Sequence, residues 1–226
     1  IILGVTALIT NVAIQKTTFK YEIPYMLLIT AVLLVMGMTG NEITFIEGVI
    51  LWILFIAYLL YLYFLAKKGN DSGDEQSGNP VWKCLLFIVL GGVCVVIGSQ
   101  FVVNGATTIA RACGMSERFI GLTIVAFGTS LPELVTSVSA ARKGNAGIAI
   151  GNIVGSNIFN ILFVIGTVAL ICPVPFESRF VIDTVVAILC GVLLWGGTIR
   201  HKELRKPCGV VMLLCYAAYF VYLAAM

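Results

Sequence analysis

Residues 128–133 read Gly128-Thr129-Ser130-Leu131-Pro132-Glu133, and residues 151–160 read Gly151-Asn152-Ile153-Val154-Gly155-Ser156-Asn157-Ile158-Phe159-Asn160. Both runs lie inside long apolar segments. On span boundaries read from the sequence, Glu133 is the single acid away from the ends of those segments. A carboxylate in hydrocarbon costs a few kcal/mol or more, so it persists there with a partner or a function. The hydroxyls, the helix-breaking Gly and Pro and the nearby amides add hard oxygen ligands at membrane depth.

Composition agrees with that setting. The chain of 226 residues is 60% hydrophobic, 11% charged, and has a mean hydropathy of +1.05. Soluble domains carry roughly 25% charged residues, so this is an all-α integral membrane protein. Its net charge of +3 sits in short loops and gives no reason to expect a nucleic-acid partner. Seven cysteines are scattered without metal-site spacing, and the lone His201 lies in a basic loop.

Pro, Gly and charge clusters divide the chain. Residues 1–10 read as the tail of a helix. Full spans are predicted at 23–40, 45–66, 81–112, 118–141, 147–171, 180–199 and 207–225, seven in all. The polar segment 67–80 between the second and third reads as a linker. Eleven Lys/Arg fall in one set of loops and three (Arg111, Arg118, Arg179) in the opposite set. By the positive-inside rule the linker is cytoplasmic and the C-terminus outside.

The front of the chain resembles its back. Residues 2–9 (ILGVTALI) align with 164–171 (VIGTVALI), and 31–37 (AVLLVMG) with 191–197 (GVLLWGG). Gly48 meets Gly209, Ala57-Tyr58 meets Ala218-Tyr219, and Tyr61 meets Tyr222, all at an offset of 160 to 162 residues. A repeat unit of five spans, 81–226, would invert its second copy in the membrane. Residues 1–66 would then be the rear part of a first copy, whose polar motifs lie upstream of Ile1.

Spacing refines the site. Thr129 and Glu133 share one helical face, as do Asn152, Ser156 and Asn160. Glu133 and Asn160 each fall near the middle of their spans, which predicts equal depth. Pro132 has no N–H for the Gly128 carbonyl, so carbonyls from Ala126 to Thr129 are expected to face a cavity. Oxygens of Thr129, Ser130, Glu133, Ser156 and Asn160 suit Na⁺ or Ca²⁺. A packing reading stands beside this one: Gly147, Gly151 and Gly155 form a small-residue stripe. Ser156, Asn152 and Asn157 fit either interhelical bonding or ligation. Glu42, Glu47, Glu117, Glu177 and Asp183 read as solvated charges at span ends.

These two motifs resemble the signature of the cation/calcium exchanger superfamily, in its prokaryotic calcium/sodium antiporter branch. The resemblance implies an inverted-repeat fold of 5+5 transmembrane helices, of which this chain carries about seven spans and a helix tail. It implies Glu133 as a central Ca²⁺ ligand that also serves Na⁺, with Thr129 beside it. Ser130 and Ser156 would line Na⁺ positions, and Ala126 would offer its carbonyl. Asn160 stands where some members carry Asp, which bears on stoichiometry, K⁺ dependence and proton coupling. The expected partners are Ca²⁺, Na⁺, the lipid bilayer and an absent N-terminal half-repeat of the same protein. The expected activity is Ca²⁺/Na⁺ antiport in the cell membrane, with Ca²⁺/H⁺ antiport as the alternative. No cofactor or catalysis is expected. A hydrolase built on Ser130 lacks a Gly-x-Ser-x-Gly turn.

Overall fold

The computed structural model describes residues 1–70, 80–115, 117–200 and 202–225. Helices α1 (Ile2–Ile9), α2 (Ile23–Gly40), α3 (Phe45–Asn70) and α4 (Val81–Ala112) follow the predicted segments closely. A π turn, Thr18–Glu22, runs into α2 and lengthens it at its start. The next passage is broken into α5 (Glu117–Ile120), a π turn (Gly121–Val125), α6 (Ala126–Gly128) and α7 (Leu131–Arg142). After a tight turn come α8 (Ala146–Phe159), a third π turn (Asn160–Ile165) and α9 (Gly166–Ile171). Helices α10 (Ser178–Ile199) and α11 (Lys206–Ala225) close the chain.

Among the described residues six helices are long and apolar enough to cross a membrane: Thr18–Gly40, Phe45–Lys68, Trp82–Ala112, Gly147–Ile171, Ser178–Ile199 and Lys206–Leu223. The remaining predicted span, 118–141, is not one helix, because Gly128 and Pro132 interrupt it. Of the predicted linker, residues 67–70 continue α3, and 71–79 lie outside the described residues, as does His201. Large apolar side chains such as Phe87, Ile88 and Phe101 on α4 are exposed. In a bilayer they face lipid, where apolar exposure costs nothing.

Two pairs of two-residue strands knit the halves together. Strand β1 (Val12–Ala13) pairs with β4 (Glu203–Leu204), and β2 (Glu42–Ile43) with β3 (Val174–Pro175), both antiparallel. Each pair joins an early segment to a late one. Helix α2 runs from β1 to β2, whereas α10 runs from β3 to β4. The two helices therefore connect the same two ends in opposite directions, and they pack against each other. The repeat read from the sequence is inverted in space.

Local detail follows the same exchange. Asn41 and Lys202 both take left-handed backbone, with φ of 55° and 51°, just before β2 and β4. A Cβ on Gly4 would lie 3.1 Å from the Gly209 carbonyl oxygen, and one on Gly48 would lie 3.1 Å from that of Gly166. Helix α1 thus closes on α11 as α9 closes on α3. Side-chain-free contact lets helix backbones approach without a hydrophobic drive between them. The buried core lies where these pairs meet, with Ile23, Ile29, Leu51, Val154, Ile158 and Leu162 wholly or nearly inaccessible.

Candidate functional site

The first polar motif sits at the break. Gly128 closes α6, and a Cβ there would overlap the Val103 side chain, so glycine lets α4 press against the bend. Pro132 occupies the first turn of α7, a position where proline is well tolerated. Between them the Ser130 N–H donates to the Phe127 carbonyl at 3.1 Å. That is one residue short of the Ala126 carbonyl a continuous helix would use. Thr129 and Ser130 form the turn itself, with φ/ψ of −64°/−23° and −94°/0°.

Glu133 lies in the first turn of α7, where the helix N-terminus favours negative charge. Its Oε2 is buried and has no hydrogen-bond partner among the described residues. A buried, unpaired carboxylate oxygen is costly; a bound cation offsets that cost directly. Among the described residues no three His, Cys, Asp or Glu side chains gather in one place. Hydroxyl, amide and carbonyl oxygens are the other hard donors that the two motifs of this chain carry beside Glu133.

The second motif lies on α8, which forms an antiparallel hairpin with α7 through the turn at Gly144 (φ 82°). Asn152 Nδ2 donates to Thr136 Oγ1 at 3.0 Å and to Ser137 Oγ at 3.2 Å, fixing the rung between the two helices. Counting from that rung sets Gly155 and Ser156 opposite Glu133. Asn160 falls opposite the break at Gly128–Thr129, about 6 Å further along at ~1.5 Å per residue. The equal depth expected for Asn160 and Glu133 is corrected: a span midpoint is a poor ruler when one of the two passages is broken. Ser156 Oγ donates to the Ile153 carbonyl at 3.1 Å, and Asn157 Nδ2 to the same carbonyl at 2.8 Å. Asn160 is exposed and opens the π turn. Such turns inside α-helices are frequent at functional sites.

A cavity of about 560 Å³ opens beside the break. Ser130 and Phe127 line it together with Ile153 and Asn157, and Thr30 and Tyr219 form other parts of its wall. Among the predicted ligands whose side chains are described, Ser130 alone lines this cavity; Asn157, which the sequence left between packing and ligation, joins it there. Gly147 faces the Gln15 side chain, while a Cβ on Gly151 or Gly155 would meet nothing within 4 Å. Two further acids lie in the helices: Glu22, which the sequence reading did not single out, and Asp183, which it took as a solvated charge. Glu22, just outside the predicted 23–40 span, lies within the helical segment and is only 9% exposed. Asp183 accepts a hydrogen bond from Tyr219 Oη at 2.6 Å.

A model of the sodium/calcium exchanger protein family matches residues 1–64 and 83–225. The chain belongs to that family. Within this exchanger family it is 31% identical over 229 residues to inner membrane protein YrbG of Escherichia coli K12, covering 94% of this chain and 69% of that one. It is 36% identical over 151 residues to the sodium/calcium exchanger MaX1 of Methanosarcina acetivorans, covering 66% of this chain and 43% of that one. Among solved structures it matches the sodium-calcium exchanger NCX_Mj, soaked with zero Na⁺ and Ca²⁺, with a TM-score of 0.80 and 31% identity. That match covers 98% of this chain and 71% of NCX_Mj. The exchanger fold is shared across nearly all of the chain, and membrane transport replaces catalysis as its work.

Proposed function

We propose that this chain carries one half of the ion site of a secondary antiporter exchanging Ca²⁺ for Na⁺ by alternating access. The observation that carries the reading is the buried, partnerless Oε2 of Glu133 at a break in a membrane passage. The likeness to exchangers of known ion specificity supports it. Glu133 is the central ligand. Thr129 and Ser130 add hydroxyl oxygens from the turn, and Ala126 its carbonyl. Ser156 faces Glu133 across the hairpin, and Asn160 stands one turn away as a neutral oxygen ligand.

Shared ligands make Ca²⁺ and Na⁺ compete, and competition at one site that opens alternately to two sides is what couples their fluxes. The inverted repeat gives two equivalent halves that exchange roles between the two access states. On this reading residues 1–66 are the rear of a first five-span repeat, 67–80 a cytoplasmic linker, and 81–226 a second repeat whose C-terminus lies outside. The loop distribution of Lys and Arg supports that orientation. The repeat calls for a second motif pair, belonging to the first half, to supply a second carboxylate; two charges neutralise one Ca²⁺ or two Na⁺.

The test is Na⁺-driven Ca²⁺ uptake into vesicles by the intact exchanger and its Glu133→Gln variant. Uptake should fall to background in the variant; wild-type uptake by Glu133→Gln would remove Glu133 from the site. A Na⁺ gradient imposed without a pH gradient separates the alternatives. Ca²⁺ that moves only with a pH gradient would replace Na⁺ exchange by H⁺ exchange.

A further inference from the structure

Two acids left unused by the ion site are repeat mates. Glu22 and Asp183 stand 161 residues apart, as do Tyr58 and Tyr219, and Tyr61 and Tyr222. The helices that carry the tyrosines, starting at Phe45 and Lys206, are offset by the same 161 residues. In the second half Tyr219 Oη donates to Asp183 Oδ1 at 2.6 Å, and Tyr219 stacks on Tyr222 with centroids 6.3 Å apart at 27°. In the first half Tyr58 stacks on Tyr61 at 6.2 Å and 25°, and Tyr21, next to Glu22 in the chain, packs with its ring centroid 6.2 Å from that of Tyr61. Tyr25 extends this stack, 5.6 Å from Tyr58 at 11°.

Each cluster ties the opening turns of one long helix to the far half of the next: α2 to α3, and α10 to α11. Because α2 and α10 run in opposite directions between the same two ends, the clusters lie toward opposite faces of the membrane. Their states differ. The Asp183–Tyr219 bond is made, whereas Tyr61 Oη is buried with no hydrogen-bond partner among the described residues. Inverted halves that alternate between two access states are expected to differ in this way: what one half does in one state, its mate does in the other.

We propose that Glu22 with Tyr58 and Tyr61, and Asp183 with Tyr219 and Tyr222, are two copies of one helix clamp that bias the exchanger toward opposite access states. They are positioning residues: they touch no ion and act by setting which side the site faces. The inference rests on the alternating-access reading above. A single charge-assisted hydrogen bond, weakened in one state only, shifts a two-state population by about tenfold.

The test uses the intact exchanger in vesicles of defined sidedness, with Tyr58→Phe, Glu22→Gln, Tyr219→Phe and Asp183→Asn variants. The phenylalanine variants keep the ring stacks and so guard against misfolding. The ratio of apparent Ca²⁺ affinities at the two faces should move about tenfold one way for first-half variants and the other way for second-half variants. The Glu22→Gln/Asp183→Asn double variant should return toward the wild-type ratio. Shifts of the same sign, or lower turnover with an unchanged ratio, would overturn the proposal. Hydrogen exchange of the amides of Thr18–Glu22 and Ser178–Asp183 is read in parallel and needs no transport. Tyr219→Phe should speed exchange at the second segment and slow it at the first; equal changes at both overturn the clamp. A wild type that moves no Ca²⁺ but shows these reciprocal changes would sink the transport reading and leave the clamp standing.

Discussion

The two membrane passages that carry the polar motifs begin from similar material and end in different structures. Residues 117–142 break at Thr129–Ser130, whereas 146–171 stay helical throughout and only widen into a π turn at Asn160–Ile165. Both are rich in glycine, hydroxyls and apolar residues. Proline separates them. Pro132 removes the N–H that would bond the Gly128 carbonyl, and no proline interrupts the second passage. The consequence is a division of labour. On the proposed reading the broken passage offers a carboxylate, two hydroxyls, a backbone carbonyl and a helix N-terminus within a few residues of one another. The continuous passage offers side chains alone, and Asn152 spends its amide holding the hairpin rung to Thr136 and Ser137. A charge in the membrane is placed where backbone is free to help it.

Substitution can break that comparison. The largest effect is expected at Glu133. Glu133→Gln should reduce Na⁺-driven Ca²⁺ uptake to background, while Asn160→Ala reduces it by about tenfold, the worth of one neutral ligand bond. The reverse order would move the charge-bearing role to the continuous passage. Gly128→Ala comes next. Its Cβ would overlap Val103, and thermal unfolding in detergent should show a loss of about 1–3 kcal/mol. Gly155→Ala, whose Cβ meets nothing within 4 Å, should leave the stability of this chain unchanged or slightly raised.

Pro132→Ala sharpens the comparison further. It restores an N–H to the turn and should add on the order of 1 kcal/mol of stability while slowing exchange. Slower hydrogen exchange at Leu131–Glu133 would report the closed turn; unchanged transport would show that the free carbonyl is dispensable. A small effect belongs to the rung. Asn152→Ala should cost about 0.6 kcal/mol, the usual worth of an interhelical bond in lipid. A double-mutant cycle with Ser137→Ala isolates it.

Much of this was legible in the sequence because it is written locally. Pro132 and Gly128 announce an interruption wherever they fall, and hydrophobic length marks the spans to within a few residues at α2, α3, α4, α10 and α11. The π turn after Phe159 was not legible, since Asn160–Ile165 carries no residue that forbids an ordinary helix. Glu22 was missed because a polar π turn, Thr18–Glu22, extends α2 past the point where hydropathy places its start. Asp183 read as solvated because its partner Tyr219 is 36 residues away. The repeat itself was visible at Gly4, Gly48, Gly166 and Gly209. Their pairing across the halves, α1 with α11 and α9 with α3, lies outside what any single segment encodes.

The crossed strand pairs have a consequence for biosynthesis. Val12–Ala13 has no edge to pair with until Glu203–Leu204 leaves the ribosome. At about 5–20 residues per second, that wait is roughly 10–40 s. Until then the early helices are an unfinished set, with the backbone groups of Val12–Ala13 still without their strand partner. A stop codon before Glu203 would remove the closing strand along with α11. It would leave the earlier helices without the mates that complete them.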